Sequence, residues 1–167
     1  PTNCTMLFGT IETLEQRLMH MVKLRELNDV TTGFQCFVPY PFLPDHTRLP
    51  EAQLATGSEI LRTIAISRLM LDSIPHIKAY RMNIGDELAE LALQYGADDI
   101  DGTVQKESIM HLAGSTAPLD HDKAMLAKLV TNAGCIPVQR NTTYSSFVEY
   151  VPVKIPKRKS LKMAVGD

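Results

Sequence analysis

Glu107 and His111 stand four residues apart behind the run Asp98-Asp99-Ile100-Asp101-Gly102-Thr103, an acid and an imidazole spaced to share one chemical task. On a helix that spacing puts both on one face, where a carboxylate can orient an imidazole that holds or passes a proton. Gly102 removes a side chain just ahead of them, so backbone there can approach a ligand closely, and Thr103 adds a hydroxyl. The same spacing equally suits a solvated surface pair, and spacing alone leaves both readings open.

Other candidates cluster after short apolar runs. Gly9-Thr10-Ile11-Glu12 offers a turn and a carboxylate able to grip a hydroxyl or amino group; the alternative is a plain turn with an acidic first helical turn favoured by the helix dipole. Pro39 to Thr56 forms a long loop that exposes Asp45, His46 and Arg48, and His46 is a candidate proton carrier or hydrogen-bond donor. Tyr80, Arg81 and Asn83 sit near another strand end, with one of Lys78 and Arg81 expected to face solvent. His20 and His121 read as surface residues, and His76 as the start of a strand. Neither a G-x-S-x-G elbow nor a glycine-rich phosphate loop occurs, which disfavours hydrolase and nucleotide-kinase chemistry.

The elements that must position these residues alternate. Cys4 to Phe8 reads as a strand, Thr13 caps a helix carrying Leu14, Leu18, Met21 and Val22, and Phe34 to Val38 is a second strand that Pro39 stops. A helix from Ser58, a strand Ile77 to Ile84, a helix from Asp86 to Tyr95 capped by Asp86 and ended by Gly96, and a short strand Asp98 to Thr103 follow. Strand and helix in strict alternation predict a parallel sheet with right-handed crossovers, an α/β fold of four βα units, half of an eight-fold barrel. A half-barrel leaves two sheet edges open, so the expectation is either a missing N-terminal half-barrel or a homodimer through those edges. Asp120 to Asn132 adds an amphipathic helix and Ile136 to Arg140 a small strand. The organisation expected is a half-barrel over 1–115, a helix-and-strand extension over 116–150, and a basic mobile tail over 151–167.

The chain has 167 residues, 44% of them hydrophobic, and a formal net charge of -2, which suits one globular domain and gives no basic face for nucleic acid. No apolar run reaches the ~20 residues needed to cross a bilayer. Cys4, Cys36 and Cys135 lie far apart and outside any C-x-x-C spacing, so no metal site is expected on them and a cytoplasmic, reducing compartment is. The first residue, Pro1, suggests a piece of something longer.

The run GADDIDGTVQKESIMHLAG, with SEILRTIAISRLMLDSIPHIKAY, NCTMLFGTIET, FQCFVPYPF and GCIPVQRNTTY around it, resembles the C-terminal half of the aminofutalosine synthase family, radical S-adenosylmethionine (SAM) enzymes of menaquinone biosynthesis by the futalosine pathway. Dehypoxanthine futalosine cyclase and the deazaflavin FO synthase are similar alternatives, as is a non-catalytic half-barrel binding or assembly module. The resemblance implies strands five to eight of a radical SAM (βα) TIM-like barrel, a 4Fe-4S cluster and SAM in the complete enzyme, and transfer of a 5′-deoxyadenosyl radical to 3-[(1-carboxyvinyl)oxy]benzoate with loss of CO2. By position it implies SAM contacts at Gly9, Glu12, Phe37, Val38 and Pro39. Thr103, Glu107 and His111 match a family motif implied to face the substrate; Arg81 and Arg140 are candidates for carboxylate recognition, and His46 is a candidate substrate contact from its loop. The family's C-x-x-x-C-x-x-C loop has no match in this sequence, so the cysteines here are expected to hold no cluster and this part alone to be inactive.

Overall fold

Hydrophobic alternation along β1 (Thr2–Phe8) sends Cys4, Met6 and Phe8 to one side of a sheet, and the rest of the architecture is built on that side. The computed structural model describes residues 1–45, 47–104 and 106–151; His46 and the basic tail beyond Val151, both singled out above, lie outside the described residues. After β1 come α1 (Leu14–Thr31), β2 (Phe34–Pro41), α2 (Gly57–Met70), β3 (His76–Ala79), α3 (Arg81–Ile84), α4 (Asp86–Ala92) and β4 (Asp99–Ile100). The four strands pair in parallel in the order β1-β2-β3-β4, consistent with a partial βα barrel. Beyond them lie α5 (Ile109–Leu112), α6 (Lys123–Asn132) and a hairpin of β5 (Val138–Arg140) and β6 (Phe147–Glu149).

Side chains fix the helix starts. Thr13 accepts from the Gln16 amide while the Gln16 side chain accepts from the Thr13 amide, a reciprocal cap for α1. Thr56 caps α2 and Asp122 caps α6 in the same one-sided way. The core is the layer between sheet and helices, where Phe8, Phe37 and Ile77 meet Met21 of α1 and Ile60 and Ile64 of α2.

Several expectations are corrected. β2 does not stop at Pro39 but continues through Pro41. The Phe42 amide donates to Phe8 on β1, so the amide positions of Pro39 and Pro41 fall on the β3 side, beyond the last β2–β3 pair at Phe37 and Ile77. The third strand ends at Ala79 rather than Ile84, because Tyr80 accepts the amides of Asn83 and Ile84 and turns the chain into α3. Asp86 caps nothing: Gly85, at φ +82°, occupies the cap position, and the Asp86 carboxylate is taken by Arg81 and His121. The fourth strand is only Asp99–Ile100.

A candidate functional site at the carboxyl end of the sheet

The sheet face turned away from the helices carries the charged and phenolic side chains of β2 to β4 beside the apolar Cys36 and Val38, and its two ends do different work. Lys78 and Asp99 are register partners, and their side chains meet at 3.3 Å. Arg140 of β5 grips both oxygens of Asp99 at 2.7 and 2.8 Å, and the Tyr144 hydroxyl donates to the same carboxylate at 2.6 Å. Burial works to raise Asp99, yet these donors and the Lys78 charge outweigh it and hold the carboxyl below its ordinary value. The Tyr144 ring stacks on His76 at 4.3 Å, and the Arg140 guanidinium lies 4.2 Å from the Tyr144 ring centre. Gln35 reaches the Thr142 carbonyl. The hairpin therefore closes the amino end of this face, the end that serves stability in a barrel.

At the carboxyl end stand Tyr40 of β2, Tyr80 after β3 and Asp101 after β4. Ala79 pairs with Ile100, so Tyr80 and Asp101 are the next two residues along, on the face shared by Lys78 and Asp99. The two rings meet edge to face at 5.2 Å. Burial pushes both phenols up, Tyr80 to about 12, and the charges of Asp101 and Glu107 add to the rise in each. Four residues from three strands and the loop beyond thus lie within electrostatic reach of one another. Asp101 is itself raised, chiefly by burial and against the pull of Arg81.

Behind this mouth is a buried ion network. Arg81 is fully buried and donates to Asp86 and to the Pro118 carbonyl, each at 3.1 Å, while its amide donates to Asp101. The second Asp86 oxygen meets His121 at 2.7 Å. Arg81 and His121, expected respectively as a substrate contact or solvated residue and as a surface residue, are both interior, and Lys78 is ion-paired.

The remaining candidates fall as follows. Glu107 and His111 do not share a helical face: Glu107 precedes α5 and accepts the amides of Ile109 and Met110, whereas His111 meets the Ala117 carbonyl at 2.9 Å. Thr103 is exposed, and a Cβ at Gly102 would meet nothing within 4 Å. Arg140 does bind a carboxylate bidentately, but it is Asp99 at the amino end. Glu12 folds onto its own turn, accepting from Gly9 and Thr10 and pairing with Arg17, while Gly9 sits at φ +84°. Phe37, Val38 and Pro39 are buried along the carboxyl half of β2, Phe37 on the helix side. Asp99, Asp101 and Tyr144 escaped sequence reasoning; the alternation in Asp99-Ile100-Asp101 was their one local signal.

A cavity of about 930 Å³ does not coincide with this mouth. It follows the free side of β4, bounded by Leu126 and Val130 of α6 and Phe147 of the hairpin, and reaches the mouth only at Asp101, Gly102 and Thr103. The mouth, where titratable groups converge, is the better candidate for chemistry, and the cavity marks an unpaired sheet edge. Among the described residues no group of three His, Cys, Asp or Glu is placed to hold a metal ion. Cys4 and Cys36 are buried on neighbouring strands, with burial raising the Cys4 thiol to about 12, so neither is a ready thiolate ligand. Among the described residues none fits an iron–sulfur cluster. No helix among the described residues is long and apolar enough to cross a membrane.

A family model described as the CofH/MqnC C-terminal region matches residues 31–153. The aminodeoxyfutalosine synthase of Thermus thermophilus is 47% identical over 148 residues, 86% of this chain and 40% of that protein. The cyclic dehypoxanthine futalosine synthase of Streptomyces coelicolor is 38% identical over 144 residues, 86% of this chain and 36% of that protein. The 5-amino-6-(D-ribitylamino)uracil–L-tyrosine 4-hydroxyphenyl transferase of Methanothermobacter thermautotrophicus is 38% identical over 149 residues, 86% of this chain and 41% of that protein. The chain spans about two-fifths of the length of these relatives.

Proposed function

The chain belongs to the CofH/MqnC C-terminal region family, and from that membership we propose that it is the C-terminal part of an aminodeoxyfutalosine synthase acting in menaquinone biosynthesis. The observation that carries this choice within the family is identity: 47% to the Thermus aminodeoxyfutalosine synthase against 38% to the cyclic dehypoxanthine futalosine synthase and to the hydroxyphenyl transferase. The proposed reaction joins the 5′-deoxyadenosyl group of SAM to 3-[(1-carboxyvinyl)oxy]benzoate with loss of CO2. SAM and a 4Fe-4S cluster supply the radical chemistry in the longer protein, the cluster being held by residues other than those described here.

This chain's share is positioning. The mouth of Tyr40, Tyr80, Asp101 and Glu107 orients a ligand against the surface of the packed tyrosine pair, with Thr103 beside it. The Asp99 network closes the opposite end of the same face and keeps water from that side. The Gly9 to Glu12 turn and the Phe37 to Pro39 segment border SAM at the carboxyl ends of the first two strands, and His111 acts by shaping the loop after the fourth.

Product analysis with the complete protein tests the assignment. Incubated with SAM, a reductant and 3-[(1-carboxyvinyl)oxy]benzoate, it is expected to form aminodeoxyfutalosine, identified by mass spectrometry. Turnover of dehypoxanthine futalosine, or of tyrosine with the ribitylaminouracil, in place of that product would move the chain to one of the other two groups. The 167-residue chain alone is expected to bind no iron and cleave no SAM; a bound cluster would overturn that part.

A further inference from the structure

Resting on the reading above for the identity of the substrate, we propose that the Tyr80 hydroxyl is a specificity-determining hydrogen-bond donor to the ether oxygen of 3-[(1-carboxyvinyl)oxy]benzoate. Tyr80 follows the last residue of β3, on the face it shares with Lys78, so the strand delivers its side chain to the carboxyl end of the sheet. Its backbone is fixed from both sides. The Tyr80 carbonyl accepts the amides of Asn83 and Ile84, and the amide of the next residue, Arg81, donates to the buried Asp101. The ring is held edge to face on Tyr40, with 5.2 Å between centres. Because that pair is packed, it presents hydroxyls to the mouth rather than a slot between rings. Both tyrosines are half-buried, and among the described residues neither hydroxyl forms a hydrogen bond or is fully enclosed. A fixed donor without a partner in the chain is available to a ligand.

The surroundings select the acceptor. Burial and the charges of Asp101 and Glu107 raise the Tyr80 phenol to about 12, so it keeps its proton throughout the neutral range. The ionised substrate has no O–H or N–H of its own, so in a hydrogen bond between the two the tyrosine donates. The substrate offers two carboxylates and one ether oxygen as acceptors. The charges that hold the proton on the phenol also repel a carboxylate drawn up to it, and the uncharged ether oxygen meets no such opposition.

Position separates the two phenols. Tyr40 directly follows the Phe37 to Pro39 segment of β2, on the SAM side of the proposed mouth, whereas Tyr80 follows the third strand, whose neighbour β4 leads into Asp101 and Thr103. Tyr80 is the one on the substrate side.

Calorimetry on the complete protein, with SAM and without reductant so that nothing turns over, compares the substrate with its methylene analogue, in which CH2 replaces the ether oxygen. The unaltered protein is expected to bind the ether about five-fold more tightly, the worth of one uncharged hydrogen bond. Tyr80→Phe keeps the ring on Tyr40 and removes the hydroxyl alone. It is expected to bind the two compounds equally, and the methylene analogue as the unaltered protein does. Equal binding by the unaltered protein, a Tyr80→Phe protein that keeps the preference, or one that loses affinity for both compounds alike would overturn the proposal. Should the variant fail to fold, a 13C label at Cζ of Tyr80 in the unaltered protein decides: its resonance is expected to shift with the ether and not with the methylene analogue, and an unmoved resonance rejects the contact. A product other than aminodeoxyfutalosine, or binding of neither compound, rejects the reaction and this contact together, whereas that product formed without an ether preference rejects the contact alone.

Discussion

At Glu12 the two Gly9 and Thr10 amides, the Thr10 hydroxyl and the Arg17 guanidinium converge on one carboxylate. Burial alone would raise this acid, but the Thr10 hydroxyl and the amides outweigh it and hold the pKa at about 2, below the ordinary 4.5. A depressed acid contributes stability that is complete above its unfolded pKa and is lost as pH falls toward the folded one. Thermal melts are therefore expected to show stability falling between about pH 4.5 and 2, and Glu12→Gln to lower stability by about 1–3 kcal/mol at pH 7 while flattening that fall. Equal acid sensitivity in the variant would show that other carboxylates carry the effect. The spacing of Gly9 and Glu12 left open whether the acid grips a ligand or serves its own turn, because a side chain's choice between outside and local donors is made by the loop's conformation. Arg81 was likewise legible as a charge near a strand end, but its burial depends on Asp86, Asp101 and Pro118, 5 to 37 positions away in the chain.

Among the elements, the hairpin is held to the sheet by Asp99. Arg140→Ala would leave that carboxylate buried with Lys78 and Tyr144 only, and is expected to cost about 3 kcal/mol in urea unfolding and to speed amide exchange in β5 and β6. A second joint lies at Gly96, where φ is +107° and an added Cβ would come within 2.8 Å of the Arg68 Cβ; the Arg68 side chain donates to the Gly96 carbonyl and to Asp98. Gly96→Ala is expected to destabilise by about 1–3 kcal/mol in the same measurement. The Thr13 cap and the alternation of strand and helix were readable because each rests on neighbours in sequence, whereas α4 ends at Ala92 rather than at the expected Tyr95, and Gly96 belongs to the turn that follows. The hairpin was half-seen, since its three-residue strands carry little periodicity and β6 gains its meaning from pairing with β5. Proline chemistry misled at β2 because whether a missing amide matters depends on which neighbour it faces.

For the whole molecule, parity along β1 sets an expectation. Thr2 donates to the Gly33 carbonyl and Phe8 accepts from Phe42, so the amides of Cys4 and Met6 also face β2 while those of Asn3, Thr5 and Leu7 face outward. Hydrogen exchange on the 167-residue chain is expected to be slow at the first set and fast at the second, and slow at both in the complete protein. Fast exchange at Asn3, Thr5 and Leu7 in the complete protein would mean that no strand pairs there. The parallel order of four βα units was legible at this scale from periodicity alone, whereas the site was legible only in part: its loops were found, but the inward residues Asp99 and Asp101 were not.

Beside that edge the His20 imidazole lies 3.0 Å from the Thr5 carbonyl, a side chain occupying a place in the ladder that a neighbouring strand would otherwise take. Displacing one imidazole is a small toll for a backbone that offers a bond at every second residue. The Thr5 carbonyl is thus already occupied in the 167-residue chain, and a strand pairing with this edge has to displace the imidazole.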